Sequence, residues 1–183
     1  DSLRPVLLSA DELAAAVGGY YAARPDEWAV ADDLAPDEAA WAAEAFPRGG
    51  RVLVLFAGGG REMLGLARRG WRVEGVEWIP AAAARARERL AQAGVDARVH
   101  EQDLRALDVG EGGFDGATAL GITYGMIPGR AERVDVLRRI ARAVRPGGRL
   151  LLDARTAAPS ARERRLFPAR RALARALGGN AGY

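Results

Sequence analysis

The chain contains no cysteine, no lysine and a single histidine, His100. Without cysteine there are no disulfides, no thiolate metal sites and no cysteine nucleophile. One histidine is too few for a His-based zinc site and leaves little basis for a Ser–His triad, so no metal is expected. The lack of lysine excludes a phosphate-binding loop of the form G-x-x-x-x-G-K-[ST]. No run of 18 apolar residues marks a membrane-spanning helix. Asp11 and Glu12 stand where a secretory signal would place a basic and then an apolar stretch. The expectation is a soluble, cytoplasmic protein with no membrane partner, and the missing initiator methionine reads as processing or trimming.

What is present suffices for one domain. The 183 residues are 49% hydrophobic and 28% charged, enough to bury roughly 70% of the unfolded surface. All 27 basic residues are arginine, against 24 acids, for a net charge of +3. Arginine together with abundant alanine reflects a GC-rich genome better than a nucleic-acid surface, which needs clustering on one face.

The chain is organised around residues 51–78, RVLVLFAGGGREMLGLARRGWRVEGVEW. Residues 52–56 form a continuous apolar run, as in a strand buried on both faces of a parallel sheet. Gly58, Gly59 and Gly60 then let the chain bend and a ligand approach the backbone. Met63, Leu64, Leu66 and Ala67 give the next segment one apolar helical face, with Gly70 as its C-cap. Residues 71–76 read as a second buried strand ending at Glu77. An acid about 20 residues after a glycine turn, at the carboxyl end of a strand, is placed to accept hydrogen bonds from ribose hydroxyls. Taken singly, the glycines also read as a structural turn and Glu77 as a solvated strand end. Their conjunction in one unit points to an adenosine-containing ligand.

The turn narrows the ligand. A nicotinamide or flavin fingerprint has a third small residue where this chain has Met63. With a P-loop also excluded, an adenosyl ligand without a pyrophosphate remains.

At this point residues 51–153 resemble the class I S-adenosylmethionine-dependent methyltransferases, whose first motif is an apolar strand, G-x-G-x-G and a strand-end acid. Val54 stands where many members have Asp, and Phe56 where they have the first Gly, so Gly58 and Gly60 carry the glycine match. The runs REM, LARRG and VEGVE also look like the thiopurine-type branch. The resemblance implies S-adenosylmethionine as cofactor, with Ala57, Gly58, Gly60, Glu77, Trp78, Gln102, Asp103, Leu104 and Leu120 in its site. Trp78 would stack on adenine or fill the core. Asp103 matches the family's acceptor for the adenine amino group, and it also reads as an N-cap for the short turn after it. No catalytic side chain is assigned: His100 reads as a strand end, and Tyr20, Tyr21 and Tyr124 lack distinguishing spacing.

The remaining chain is read in order. Residues 9–17 carry a capping box, Ser9 with Glu12, on an alanine-rich helix closed by Gly18 and Gly19. Tyr20, Tyr21 and Trp28 follow, either as part of a lid over the cofactor or packed on the outer face. Residues 36–46 are a short helix with Asp37 and Glu38 in its first turn. Residues 81–93 form a helix after Pro80, residues 95–100 a third strand and residues 114–120 a fourth. The loop after it, GITYGMIPG, lacks the Asn-Pro-Pro-Tyr signature of amino-group methylation on DNA or protein. That favours a small-molecule acceptor, with Tyr124 on the substrate side by chemistry or by packing. Residues 131–144 read as an amphipathic helix with Val134, Leu137, Ile140, Ala141 and Val144 inward, followed by an R-P-G-G turn and a fifth strand over 149–153.

The fold expected is α/β: a Rossmann-like, doubly wound, mostly parallel sheet with helices on both faces, lacking the family's C-terminal strand hairpin. Residues 1–48 are read as a helical lid segment and 49–183 as a C-terminally truncated cofactor-binding domain. A homo-oligomer or other partner would cover the fifth-strand edge. The arginines of residues 160–177 read as a solvated helix face. The function expected is methyl transfer to an O, N or S atom of a small molecule. The rivals are a degenerate binding module or partner subunit, an RNA methyltransferase reading through the C-terminal arginines, and, last, a nicotinamide enzyme.

Overall fold

The structure, a computed structural model, describes residues 32–153 except 122 and 128, together with residues 12, 15, 16, 18–20 and 23. Tyr21, Trp28, most of the helix expected over 9–17, the basic segment 160–177 and the tail 178–183 lie outside the described residues. Gly18 and Gly19 are helical, as is Tyr20, so they do not close the first helix as expected.

Helix α1 is Pro36–Ala45, followed by β1, Arg51–Leu55; α2, Arg61–Arg68; β2, Arg72–Glu77; α3, Pro80–Gln92; and β3, Val99–Glu101. After a 3-10 turn at Leu104–Ala106 come β4, Phe114–Ala119, a second such turn at Thr123–Met126, α4, Arg130–Ala143, and β5, Val144–Leu152. The five strands lie in the order β3-β2-β1-β4-β5, and every pairing between neighbours is parallel.

Strand β1 takes the centre because its side chains are apolar on both faces: Val52, Leu53 and Val54 are fully buried. Its alternation sends them to opposite sides of the sheet. Val52 and Val54 join Leu34, Phe46, Met63 and Leu66 beneath α1, α2 and α3. Leu53 and Leu55 join Phe114, Ala117, Val136 and Ile140 beneath α4. Each such aliphatic side chain contributes about 1.5–3 kcal/mol when fully buried.

Segment 34–46, read from sequence as part of a lid, belongs to this core: Leu34, Ala42 and Phe46 are buried in it. Helix α1 starts at Pro36, and the Glu38 carboxylate reaches back to accept the amide of Ala35 at 2.8 Å.

Two strands and the phase of one helix differ from expectation. The third strand is only Val99–Glu101, because β3 is an edge that pairs through Gly75 to Glu77 alone. The R-P-G-G segment is not a turn before the fifth strand but an irregularity inside it: Phe114 pairs with Val144 and Gly116 already with Arg149. On α4 the buried stripe is Val136, Ile140 and Ala143, while Ala141 is exposed and Val134, Leu137 and Val144 half-buried. The helix is therefore rotated from the phase the apolar pattern suggested, with the 3-10 turn at Leu104–Ala106 and β5 packed against it.

Candidate cofactor site

The strand order reverses direction at β1, between β2 on one side and β4 on the other, so the crevice beyond their carboxyl ends is the topological switch point where open α/β sheets bind ligands. The glycine turn opens there. Phe56, Gly58 and Gly60 all have left-handed φ, at 52°, 51° and 84°. Phe56, standing where many family members have glycine, thus keeps the glycine conformation despite its side chain. The turn is closed by the Gly60 amide donating to the Ala57 carbonyl at 2.8 Å, and tied to β2 by the Ala57 amide on the Val76 carbonyl at 3.0 Å. A Cβ on Gly60 would come within 3.0 Å of the Ala86 backbone in α3, so glycine is needed there for packing as well as conformation.

Met63 and Gly75 explain how a bulky residue occupies the place of the usual third small one. Met63 is fully buried, and a Cβ on Gly75 would lie 2.4 Å from its sulfur. The small residue that lets helix and strand approach sits on β2 instead of on α2.

Glu77 ends β2 only 4% exposed. One carboxylate oxygen accepts the Gly58 amide at 2.8 Å and the other the Ile79 amide at 2.9 Å. Burial pushes its pKa up, opposed by the Ile79, Gly58 and Trp78 amides. A carboxylate has about four lone-pair positions, so acceptor capacity beyond these bonds remains for hydroxyls.

Trp78 is half-buried, and a Cβ on Gly18 would be 3.1 Å from its ring. The N-terminal helix therefore reaches the cofactor crevice. Tyr20, on that same helical stretch, is 42% exposed. Asp103 is the N-cap of the turn at Leu104–Ala106: one oxygen accepts the Arg105 amide at 2.8 Å, the other the Arg105 guanidinium at 2.7 Å. These bonds hold its pKa below the usual carboxylate range, against desolvation by burial, the largest single influence. Gln102 closes the adjoining loop, its side chain donating to the Asp108 carbonyl and accepting the Asp108 amide at 2.8 Å. Ala57, Leu104 and Leu120 are buried.

The tyrosine and histidine candidates sit differently. The Tyr124 hydroxyl donates to the Arg133 carbonyl at 3.0 Å, fastening its loop to α4. His100 meets Glu74 at 2.8 Å, beside a groove lined by Arg51, Trp71 and Asp96. Arg51 opens β1, so this groove lies toward the amino ends of the strands, away from the crevice.

Two acids that sequence reading passed over stand in the crevice. Asp153, just past β5, accepts the Gly121 amide at 2.9 Å. Glu62, at the start of α2, is 9% exposed, and its Oε2 is buried without a hydrogen-bond partner. Its signal in the sequence was an acid on the helix face it shares with Leu66. The site fits an adenosyl cofactor carrying positive charge: a seated ribose-level acid, a glycine turn open to backbone approach, and a buried carboxyl oxygen lacking a partner.

Comparison with known proteins agrees. Residues 52–148, more than half of the chain, match the methyltransferase domain family. The chain is similar to a TehB-like SAM-dependent methyltransferase from Corynebacterium glutamicum, with 26% identity over 75% of this chain and 72% of that one, TM-score 0.58. It is similar to a Burkholderia thailandensis 1,6-didemethyltoxoflavin-N1-methyltransferase bound to its substrate and S-adenosylhomocysteine, with 25% identity over 82% of this chain and 66% of that one, TM-score 0.65. An amino pentose methyltransferase of calicheamicin biosynthesis from Micromonospora echinaspora is 26% identical over 84% of this chain and 59% of that one, TM-score 0.53. This chain spans from 46% to 79% of the length of such structures. No curated protein sequence matches it. With the crevice, the strand-end acid and the family match in agreement, the chain belongs to the class I S-adenosylmethionine-dependent methyltransferases.

Proposed function

We propose that this chain transfers a methyl group to an O, N or S atom of a small molecule. The observation that carries the reading is the Glu77 carboxylate seated against the glycine turn at the switch point of the sheet. S-adenosylmethionine, when bound, supplies a sulfonium-activated methyl open to in-line displacement. Glu77 accepts from the ribose hydroxyls, Trp78 covers the adenine, and Asp103, with Gln102 and Leu104 beside it, borders the base. Ala57, Gly58, Gly60 and Leu120 shape the floor of the crevice.

What is left to the chain is positioning, which can be worth ~7–11 kcal/mol where the acceptor is held about 3–3.5 Å from the reacting carbon. The helical residues 18–20 supply the cover in this reading: the proximity of Gly18 to Trp78 brings them to the crevice, with Tyr20 on the acceptor's side. Tyr124 shapes the same side through packing, its hydroxyl being directed at α4. A small-molecule acceptor is supported by the toxoflavin-precursor and amino pentose methyltransferases among similar structures.

A calorimetric titration with S-adenosylhomocysteine tests the reading without knowledge of the acceptor. Micromolar binding is expected. No binding by the folded chain would overturn it in favour of a methyltransferase-fold subunit that has lost its cofactor.

A further inference from the structure

The sheet end offers no carboxylate from β1 itself: Val54 is fully buried in the core. The nearest acid past the glycine turn is Glu62, on the first turn of α2. Its Oε1 lies 3.5 Å from the Arg61 guanidinium, and its buried Oε2 has no partner. That guanidinium is shared with Glu38 of α1, which it meets more closely, with the Nη2–Oε1 bond at 2.8 Å. The other charged groups acting on Glu62 are themselves acids, Glu38 and, from the end of β5, Asp153. Burial, the largest influence, pushes its pKa up to about 8; Arg61 opposes it, and Glu38 and Asp153 add to it.

A buried carboxyl with an empty acceptor and two acids around it is a poor structural element and a good receptor for a cation. It sits between the glycine turn and the end of β5, while Glu77 stands on the β2 side of the same turn. From a ribose held by Glu77, the aminoacyl arm of the cofactor has the glycine turn and Glu62 to run toward.

We propose that Glu62 anchors the α-ammonium of the cofactor's methionyl arm. This rests on the cofactor reading above and deepens it: the arm is recognised by a side chain that follows the turn, not by one on β1. Binding would draw the proton from Glu62, since an ion pair with the ammonium needs the carboxylate.

The test compares wild type and Glu62→Gln in titrations against S-adenosylhomocysteine and 5′-methylthioadenosine, which keeps the adenosine and the sulfur but lacks the aminoacyl arm. The expected result is a loss of about tenfold or more for S-adenosylhomocysteine in Glu62→Gln, with 5′-methylthioadenosine unchanged. Wild type at pH 7 should also release a proton on binding S-adenosylhomocysteine, seen as heats that differ between buffers of different ionisation enthalpy. The preference of wild type for S-adenosylhomocysteine over 5′-methylthioadenosine needs no variant, so the assignment stays testable even if Glu62→Gln does not fold. Equal affinities of both proteins for S-adenosylhomocysteine, or equal losses for both ligands, would overturn the assignment. Wild type binding 5′-methylthioadenosine with no preference for S-adenosylhomocysteine would sink it while leaving the cofactor reading intact; binding neither ligand would sink both.

Discussion

The Gly58 amide donates to the Glu77 carboxylate at 2.8 Å across 19 residues of chain. One side chain thus fixes the glycine turn and presents the acceptor that a ribose would meet. Glu77→Ala should weaken S-adenosylhomocysteine binding by more than about tenfold, since charge-assisted hydrogen bonds contribute roughly 1.5–3 kcal/mol each. It should also destabilise the fold by about 1–3 kcal/mol, because the Gly58 and Ile79 amides lose their acceptor. Calorimetry and urea unfolding on the same preparation read both effects. Unchanged affinity in a folded variant would remove Glu77 from the site.

Phe56 holds a φ of 52° without being glycine, and its ring packs on the core beneath α4. Alanine and glycine both remove the ring, but only glycine relieves the backbone. Phe56→Gly should therefore be more stable than Phe56→Ala by about 1 kcal/mol. If denaturant midpoints put alanine above glycine, the left-handed turn at position 56 is not strained.

Met63 and Gly75 fill one another's space across α2 and β2. Gly75→Ala should cost about 1–3 kcal/mol by overpacking, and Met63→Ala about 2–5 kcal/mol by leaving a cavity. In the double variant the new methyl enters the vacated space, so its loss should fall short of the two single losses combined. Strict additivity in thermal or urea unfolding would show that the two residues do not share the space.

Glu62 gives the stability a pH dependence with a defined sign. Its pKa is raised from the model-peptide 4.5 to about 8 by burial, so the folded state keeps a proton that the unfolded state gives up. Its contribution is fully present below the unfolded value and is lost as pH rises through about 8. Stability of wild type relative to Glu62→Gln should therefore fall between pH 5 and pH 8.5 in urea titrations without ligand. A difference independent of pH would mean that Glu62 is already ionised in the free protein.

The central unit was legible because its signals are local. The apolar run of β1, three glycines, the helical face of α2 and the acid ending β2 follow one another within a single supersecondary unit, and each is set by conformational or burial preferences of adjacent residues. The resemblance to a methyltransferase motif was carried by the same residues. The inward face of α4 was less legible, since an alanine-rich, arginine-rich helix has several apolar stripes of similar strength. Which one is buried depends on β5 and the turn at Leu104–Ala106, which reach it from elsewhere in the chain.

The sequence by itself determined that there is a buried parallel strand, a glycine turn and an acid at the end of the next strand, because period, glycine and strand-end chemistry act over a few residues. Only the tertiary structure decided the rest. The order β3-β2-β1-β4-β5 puts the turn at a switch point, Gly75 admits Met63, Phe56 takes a glycine's φ, and Glu62 is buried beside acids instead of facing water. These depend on which distant side chains meet, and no window along the chain contains both partners.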